Sequence, residues 1–145
     1  MMHFRAMTID DLSSALELWQ SCEGIGIGDS DSPDELTAFL QRNPEMSWVA
    51  LSDDQLVGAV LVGHDGRRGF LYHLATDPKF RRQGIGQTLV QHAIASLRAA
   101  GIIKCHIFVY RTNAQGREFW DRLSFVRRND IDVQSLVIAT PRGRS

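Results

Sequence analysis

DPKFRRQGIGQTLVQHAI, residues 77–94, is the stretch that decides the fold of this chain. Its two glycines, Gly84 and Gly86, stand immediately before a run whose apolar residues recur at helical spacing. The first N–H groups of a helix have no partner within the helix, and the helix dipole adds partial positive charge there. A helix that begins in such a loop, next to Arg81 and Arg82, is suited to binding a phosphate group.

Length and composition are those of a soluble globular domain. The chain has 145 residues, 43% of them hydrophobic and 23% charged, with a formal net charge of -1. This predicts a single domain over residues 1–145 and argues against duplex nucleic acid as a partner. Cys22 and Cys105 lack the spacing of a metal site or a disulfide framework, and no apolar run is long enough to cross a membrane. We expect a cytoplasmic protein with no metal, no nucleic-acid partner and no membrane partner.

Hydrophobic periodicity predicts an α/β domain. Helical spacing indicates a helix capped by Thr8, a helix that starts at Pro33, the long helix that ends at Gly101, and a helix capped by Asn113. Alternating apolar residues indicate strands, three of them adjacent and antiparallel. The predicted strands are 3–7, 47–51, 56–62, 70–76, 103–110, 125–127 and 133–139.

Glycines before a helix also occur in simple turns, so the glycine pair alone is a weak signal. Its position after a strand and before the longest helix favours phosphate binding, with the main chain free to approach the ligand at Gly84 and Gly86. A nucleotide-binding module is an alternative, but the loop lacks the Lys-Ser/Thr ending of a P-loop.

The string LATDPKFRRQGIGQTLV closely resembles the acetyl-CoA-binding motif of the GNAT N-acetyltransferase superfamily, R/Q-x-x-G-x-G/A, with Arg81, Gly84 and Gly86 in its fixed places. Asn113 followed by REFWDRLSF resembles the stretch after the family's fifth strand. The resemblance extends over essentially the whole chain. It implies the GNAT fold: a mixed, mostly antiparallel twisted sheet of about six to seven strands flanked by about four helices.

The resemblance also implies acetyl-CoA as the cofactor. A strand end would offer backbone groups to the pantetheine arm and the acetyl carbonyl, and the glycine loop would hold the pyrophosphate. Asn113 would contact the cofactor arm, although a helix cap without a ligand explains this residue equally well. The implied cofactor-binding residues are Leu74, Ala75, Thr76, Arg81, Arg82, Gln83, Gly84, Ile85, Gly86, Gln87 and Asn113.

The acid and base that are common in the family are missing from the matching positions. Trp120 stands where many members have an acidic Tyr, and the positions of the base fall on Phe70, Tyr72 and Phe108. A base can act through water, so we take Tyr72 as the candidate catalytic residue and also consider Tyr110. Packing or substrate orientation is the alternative role for both tyrosines.

The period of two along a strand places Tyr72 and Leu74 on the same, site-facing side. It places His73 on the opposite side, where a structural role is expected. His106 shares a face with Phe108 and Tyr110, which directs it towards the predicted cleft.

The resemblance implies an acetyl-CoA-dependent N-acetyltransferase that acts on a primary amine of a small molecule, a peptide N-terminus or a lysine. Acidic residues in the glycine-rich loop 23–34 would attract such a cation, and a solvated linker and helix start is the alternative role for them. The missing acid and base favour a second hypothesis, a noncatalytic acyl-CoA-binding or sensing domain. The chain is expected to be a monomer or a homodimer, the latter if residues 125–139 pair between subunits.

Overall fold

The computed structural model describes residues 1–143, which are organised around one five-stranded sheet with the order β1-β2-β3-β4-β5. Neighbouring strands are antiparallel except β4 and β5, which are parallel. The elements in chain order are β1 Met2–Ala6, α1 Leu12–Ser21, α2 Pro33–Arg42, β2 Trp48–Ser52, β3 Gln55–His64, β4 Gly69–Thr76, α3 Ile85–Ala99, β5 Cys105–Ile107 and α4 Ala114–Arg122. Short 3-10 turns occur at Ile9–Asp11, Asp29–Asp31 and Pro78–Phe80.

The sheet is covered on both faces. On one face α1 and α2 pack through side chains that include the fully buried Trp19 and Leu36, and we call this the α1 face. On the other face α3 packs through Leu89 and its neighbours, joined by residues of α4, and we call this the α3 face. The run 57–62 of β3 is buried throughout because this strand is central and covered on both sides.

Local signals in the sequence explain where the helices begin and end. The Ser32 hydroxyl accepts a hydrogen bond from Glu35 N–H at 3.3 Å, and Pro33 occupies the first turn of α2. Asn113 caps α4 by accepting a hydrogen bond from Gly116 N–H at 3.0 Å. Gly101, with a φ of 82°, follows the end of α3. The predicted starts of α2 and α4 and the predicted end of α3 are confirmed.

A β-bulge interrupts β4. Tyr72 pairs with Leu61 of β3, whereas Ala75 pairs with Ala59. Between these two pairs β4 therefore contains two residues where β3 contains one. His73, inside the bulge, has a φ of 56°, in the left-handed region.

The bulge makes the predicted face assignment of β4 wrong. Tyr72 packs on the α1 face, but Leu74 packs on the α3 face. His73 lies on the α1 face as well, with its ring centroid 5.2 Å from that of Trp19. The extra residue shifts the alternation by one position, so that two consecutive side chains share a face.

The end of the chain also differs from the prediction. β5 spans only Cys105–Ile107 rather than 103–110, and residues 125–139, within the described chain, form no strand. Apolar side chains there are exposed, including Val126 at 83% and Leu136 at 86%. Alternation of apolar residues favours a strand only when a neighbouring strand is available for pairing. In the structure no strand is paired with residues 125–139.

The predicted fold class is confirmed: the domain is α/β, with a mixed and mostly antiparallel sheet of five strands instead of six or seven, and four helices. Among residues 1–143 no helix combines the length and apolarity that crossing a membrane requires. The expected monomer or homodimer stays a prediction.

Gly58→Ala is expected to lower the free energy of unfolding by about 1–3 kcal/mol, because a Cβ at this position overpacks the contact between β3 and α3. It would lie 2.9 Å from Ile85 Cγ2, 3.1 Å from Leu89 Cδ1 and 3.3 Å from Ala50 Cβ. Urea unfolding checks this prediction through the transition midpoint. Gly28→Ala is the matched control, since its Cβ would meet no atom within 4 Å; equal stability losses in the two variants would contradict the packing argument.

Candidate functional site

The loop between β4 and α3 is shaped to bind an anion. Arg82 and Gly84 have φ values of 67° and 76°, while Gln83 between them does not have a positive φ. When residues with left-handed and right-handed backbone conformations alternate in this way, successive backbone N–H groups point towards one concave surface. The first hydrogen bond of the helix runs from Thr88 N–H to Gly84 O at 3.0 Å. The N–H groups of residues 85–87 therefore have no carbonyl partner within α3.

Charge and open space at this loop fit a phosphate group. The side chains of Arg81 and Arg82 are exposed beside the helix start. A Cβ at Gly84 would meet no atom within 4 Å, whereas at Gly86 it would lie 3.4 Å from the ring of Phe119. Gly84 therefore serves the left-handed turn and leaves the concave surface accessible, and Gly86 allows α4 to pack close to the start of α3.

A gap opens beside the second half of β4. β5 pairs with β4 only up to the pair Leu71–Ile107, so residues 74–76 have no neighbour on that side within the described chain. The backbone groups of residues 74–76 on that side have no ladder partner, and Thr76 O has only a long contact with Cys22 Sγ, at 3.9 Å. The gap leads to the phosphate loop, because a Cβ at Gly86 would lie only 3.7 Å from Thr76 Oγ1. The strand end and the glycine loop are therefore adjacent, and we call the space beside both of them the cleft.

The glycine-rich loop after α1 runs along the mouth of this cleft. At Gly24 a Cβ would lie 2.6 Å from Asn113 Nδ2, and at Gly26 it would overlap the hydroxyl of Tyr110. Only glycine allows the loop to approach both side chains so closely. Asn113 therefore caps α4 and also lies against this loop; its predicted contact with the cofactor stays a prediction.

Three aromatic rings form a wall on the α1 face. Phe70, Tyr72 and Phe108 have ring centroids 5.9 to 6.2 Å apart and interplanar angles of 4° to 16°. A cavity of about 200 Å³ lies beside them and is lined by Phe39 and Asn43 among others. Burial raises the pKa of the Tyr72 phenol, so this group remains protonated at neutral pH. It is a hydrogen-bond donor rather than a base.

His106 stands at one end of the aromatic wall, 5.7 Å from Phe70 between ring centroids. Partial burial lowers the pKa of its imidazole, and the positive charges of Arg68, Lys104 and Arg128 lower it further. This end of the wall therefore carries positive charge, and its histidine is neutral at pH 7.

The bulge in β4 brings together two residues that sequence reasoning kept apart. His73 Nε2 lies 2.8 Å from Asp31 Oδ1, and only 15% and 11% of the two side chains are exposed. Asp31 also accepts a hydrogen bond from Gly28 N–H at 2.9 Å, which fixes the end of the glycine-rich loop. Burial alone would raise the pKa of the Asp31 carboxyl, but these hydrogen bonds and the charge of His73 outweigh it, so the pKa lies below its usual value.

Trp120 is a packing residue in the structure. Its ring makes edge contacts with Phe119, at 5.0 Å, and Phe125, at 4.9 Å. The indole joins the α3-face core, and it has no group that could exchange a proton at neutral pH.

A larger groove of about 510 Å³ between α1 and α2 lies on the outer side of these helices and does not include the phosphate loop.

Solved structures share this fold. Ard1 from Thermoplasma volcanium superposes with a TM-score of 0.77 at 18% identity, covering 86% of this chain and 82% of that one. The PaiA N-acetyltransferase from Thermoplasma acidophilum, solved in complex with coenzyme A, superposes with a TM-score of 0.74 at 21% identity, covering 85% and 88%.

Sequence comparison identifies relatives over most of the chain. An acetyltransferase of Pectobacterium atrosepticum is 29% identical over 124 residues, which are 86% of this chain and 87% of the relative. An acetyltransferase of Photorhabdus laumondii is 28% identical over 132 residues, 91% and 92% of the two chains. The model of the acetyltransferase (GNAT) family matches residues 12–125. The chain therefore belongs to the acetyltransferase (GNAT) family.

Proposed function

We propose that this protein transfers the acetyl group of acetyl-CoA to a primary amine. The observation that carries the proposal is the start of α3, where the N–H groups of residues 85–87 lack helical partners beside the exposed Arg81 and Arg82. A pyrophosphate would accept hydrogen bonds from these N–H groups and neutralise both arginines. Acetyl-CoA supplies an activated acetyl thioester when it is bound.

Different residues of the cleft would bind different parts of acetyl-CoA. Arg82 to Gln87 would surround the pyrophosphate, with Ile85 contributing only its N–H because its side chain is 3% exposed and packs in the core. The free backbone edge of Leu74, Ala75 and Thr76 would bind the pantetheine arm. Asn113 Nδ2, at the cleft mouth, would donate to the same arm.

The acceptor would approach from the α1 face. Tyr72 is our proposed catalytic residue from the sequence, and its protonated phenol would orient the acceptor or donate a proton to the departing thiolate. The amine belongs to a small molecule, a peptide N-terminus or a lysine. The reaction would take place in the cytoplasm, in keeping with Cys22 and Cys105, which are both free.

Acetyl-CoA binding and turnover test the proposal. Isothermal titration should show binding of acetyl-CoA, and a thiol-release assay should show turnover with at least one amine of a panel. The panel is spermidine, benzylamine, an alanine-initiated peptide and an N-acetylated peptide with one lysine. Binding of acetyl-CoA without thiol release with any amine would favour the noncatalytic acyl-CoA-binding alternative. Binding of ATP but not of coenzyme A would overturn the proposal that acetyl-CoA is the donor.

Gly84→Asp is expected to weaken acetyl-CoA binding more than 10-fold relative to Gly84→Asn. Asn and Asp have nearly the same shape and both tolerate a left-handed φ, so the two variants share the steric effect and differ by one negative charge. That charge would stand in the concave surface meant for the pyrophosphate. Calorimetric Kd values measured at low salt check this prediction, and equal affinities would place the pyrophosphate elsewhere.

Trp120→Phe is expected to retain kcat within about 10-fold of the wild type, because the indole packs and exchanges no proton. A modest loss of stability should accompany the smaller ring. Thiol release and thermal unfolding, measured on the same preparation, separate the two effects. Loss of all turnover in a folded variant that still binds acetyl-CoA would assign Trp120 a direct role.

A further inference from the structure

His73 occupies an unusual backbone position. Of the six non-glycine residues with positive φ in residues 1–143, it is the one that lies inside a strand. A left-handed φ costs a non-glycine residue on the order of 1–3 kcal/mol, and such residues cluster at active sites and ligand-binding sites. The strain occurs two positions after Leu71, the last residue of β4 that pairs with β5. His73 therefore lies where the cleft begins.

The contact with Asp31 determines which ring nitrogen of His73 carries a proton. At neutral pH the carboxylate of Asp31 can only accept a hydrogen bond, so the contact at 2.8 Å places a proton on Nε2 of His73. In the neutral form of the ring, Nδ1 then carries the lone pair. A histidine oriented by a buried carboxylate through one nitrogen and free at the other is the arrangement that general bases use.

A second, independent feature lies at the same place. The indole Nε1 of Trp19 is the one fully buried side-chain nitrogen or oxygen in the described residues that has no hydrogen-bond partner. The ring of Trp19 packs against that of His73, with 5.2 Å between centroids. A buried donor without a partner costs about 1–3 kcal/mol, and native structures accept this cost mainly where function or an ordered water explains it.

We propose that His73 is the general base of the acetyl transfer and that Asp31 is its positioning residue; the inference rests on the proposed function. The amine nitrogen bonds to the carbonyl carbon of the thioester as the carbon–sulfur bond breaks and its electron pair goes to sulfur. The proton lost by nitrogen goes to Nδ1 of His73, directly or through one water. Asp31 holds the Nε2 proton throughout and stabilises the imidazolium that forms.

The electrostatic surroundings of His73 are simple. The loop presents Asp31, α1 presents the uncharged ring of Trp19, and β4 itself presents Tyr72, whose ring centroid lies 6.4 Å away. Cys22, at the end of α1, has its Sγ directed at Thr76 O, 3.9 Å away. Asp31 is thus the charged group that is paired with this histidine.

His73→Asn tests the assignment against a purely structural role. Asn tolerates a left-handed φ and keeps a polar amide beside Asp31, so an anchor for the loop would be largely preserved. Loss of a general base is expected to reduce kcat/KM by about 100-fold or more, with the Kd for acetyl-CoA unchanged within about threefold. The assay uses acetyl-CoA and the amine of the panel that the wild type acetylates fastest.

The pH profile provides a readout that a structural role would not change. The pH profile of kcat/KM should have an acid limb in the wild type, because protonated imidazole cannot accept the amine proton. In His73→Asn that limb should disappear.

Two further measurements test the assignment, one by NMR without any turnover and one by chemical rescue of activity. The ¹⁵N NMR shifts of the His73 ring should show the Nε2–H tautomer in the wild type and a mixture of tautomers in Asp31→Asn. His73→Gly relieves the backbone strain and leaves a cavity, so added imidazole should restore part of the activity, and more at high pH, where imidazole is neutral.

His92→Asn is the matched control. His92 is also a histidine stacked on aromatic rings, 4.3 Å from Trp48, but it lies on α3, on the other face of the sheet. Its activity and pH profile should match those of the wild type. Full activity or an unchanged acid limb in His73→Asn would overturn the assignment of the base to His73 and leave the proposed function intact. No turnover by the wild type with any amine would overturn the proposed function and this assignment together.

Discussion

The extra residue that β4 carries between Tyr72 and Ala75 is the constraint on which the functional face of the molecule depends. It reverses the alternation of the strand, so that Leu74 joins the α3 face while Tyr72 and His73 share the α1 face. A bulge also increases local twist, and β5 stops following β4 just before this point. The cleft and the side chains that face the acceptor thus have one geometric origin.

The phosphate end of the cleft is rigid for a different reason. β3 is buried on both faces, and Gly58 lets Ile85 and Leu89 of α3 pack directly against it. The first residue of α3 is therefore part of the core, although the loop before it is exposed. N–H groups that are fixed in this way bind an anion without a further cost of ordering.

Sequence reasoning succeeded where the signal was local. The start of α3, its end at Gly101 and the cap at Asn113 each follow from residues within one helical turn. It failed where the outcome depended on distant pairing. Residues 125–139 alternate as a strand would but have no strand partner, and the bulge at His73 has no glycine to signal its left-handed φ. The pair with Asp31 could not be anticipated, because the face of His73 was assigned by an uninterrupted period of two.

The two ends of the α1 face differ in charge, which bears on where a cationic acceptor would bind. Arg68, Lys104 and Arg128 surround His106 at the far end of the aromatic wall and oppose the approach of a cation there. The other end carries exposed carboxylates instead, Asp29 in the loop at the cleft mouth and Asp34 in the first turn of α2. A protonated amine would therefore be drawn to the loop end, where β4 and β5 separate. It would arrive beside His73 rather than His106, so the charge distribution and the geometry of the bulge both favour the histidine that we propose as the base.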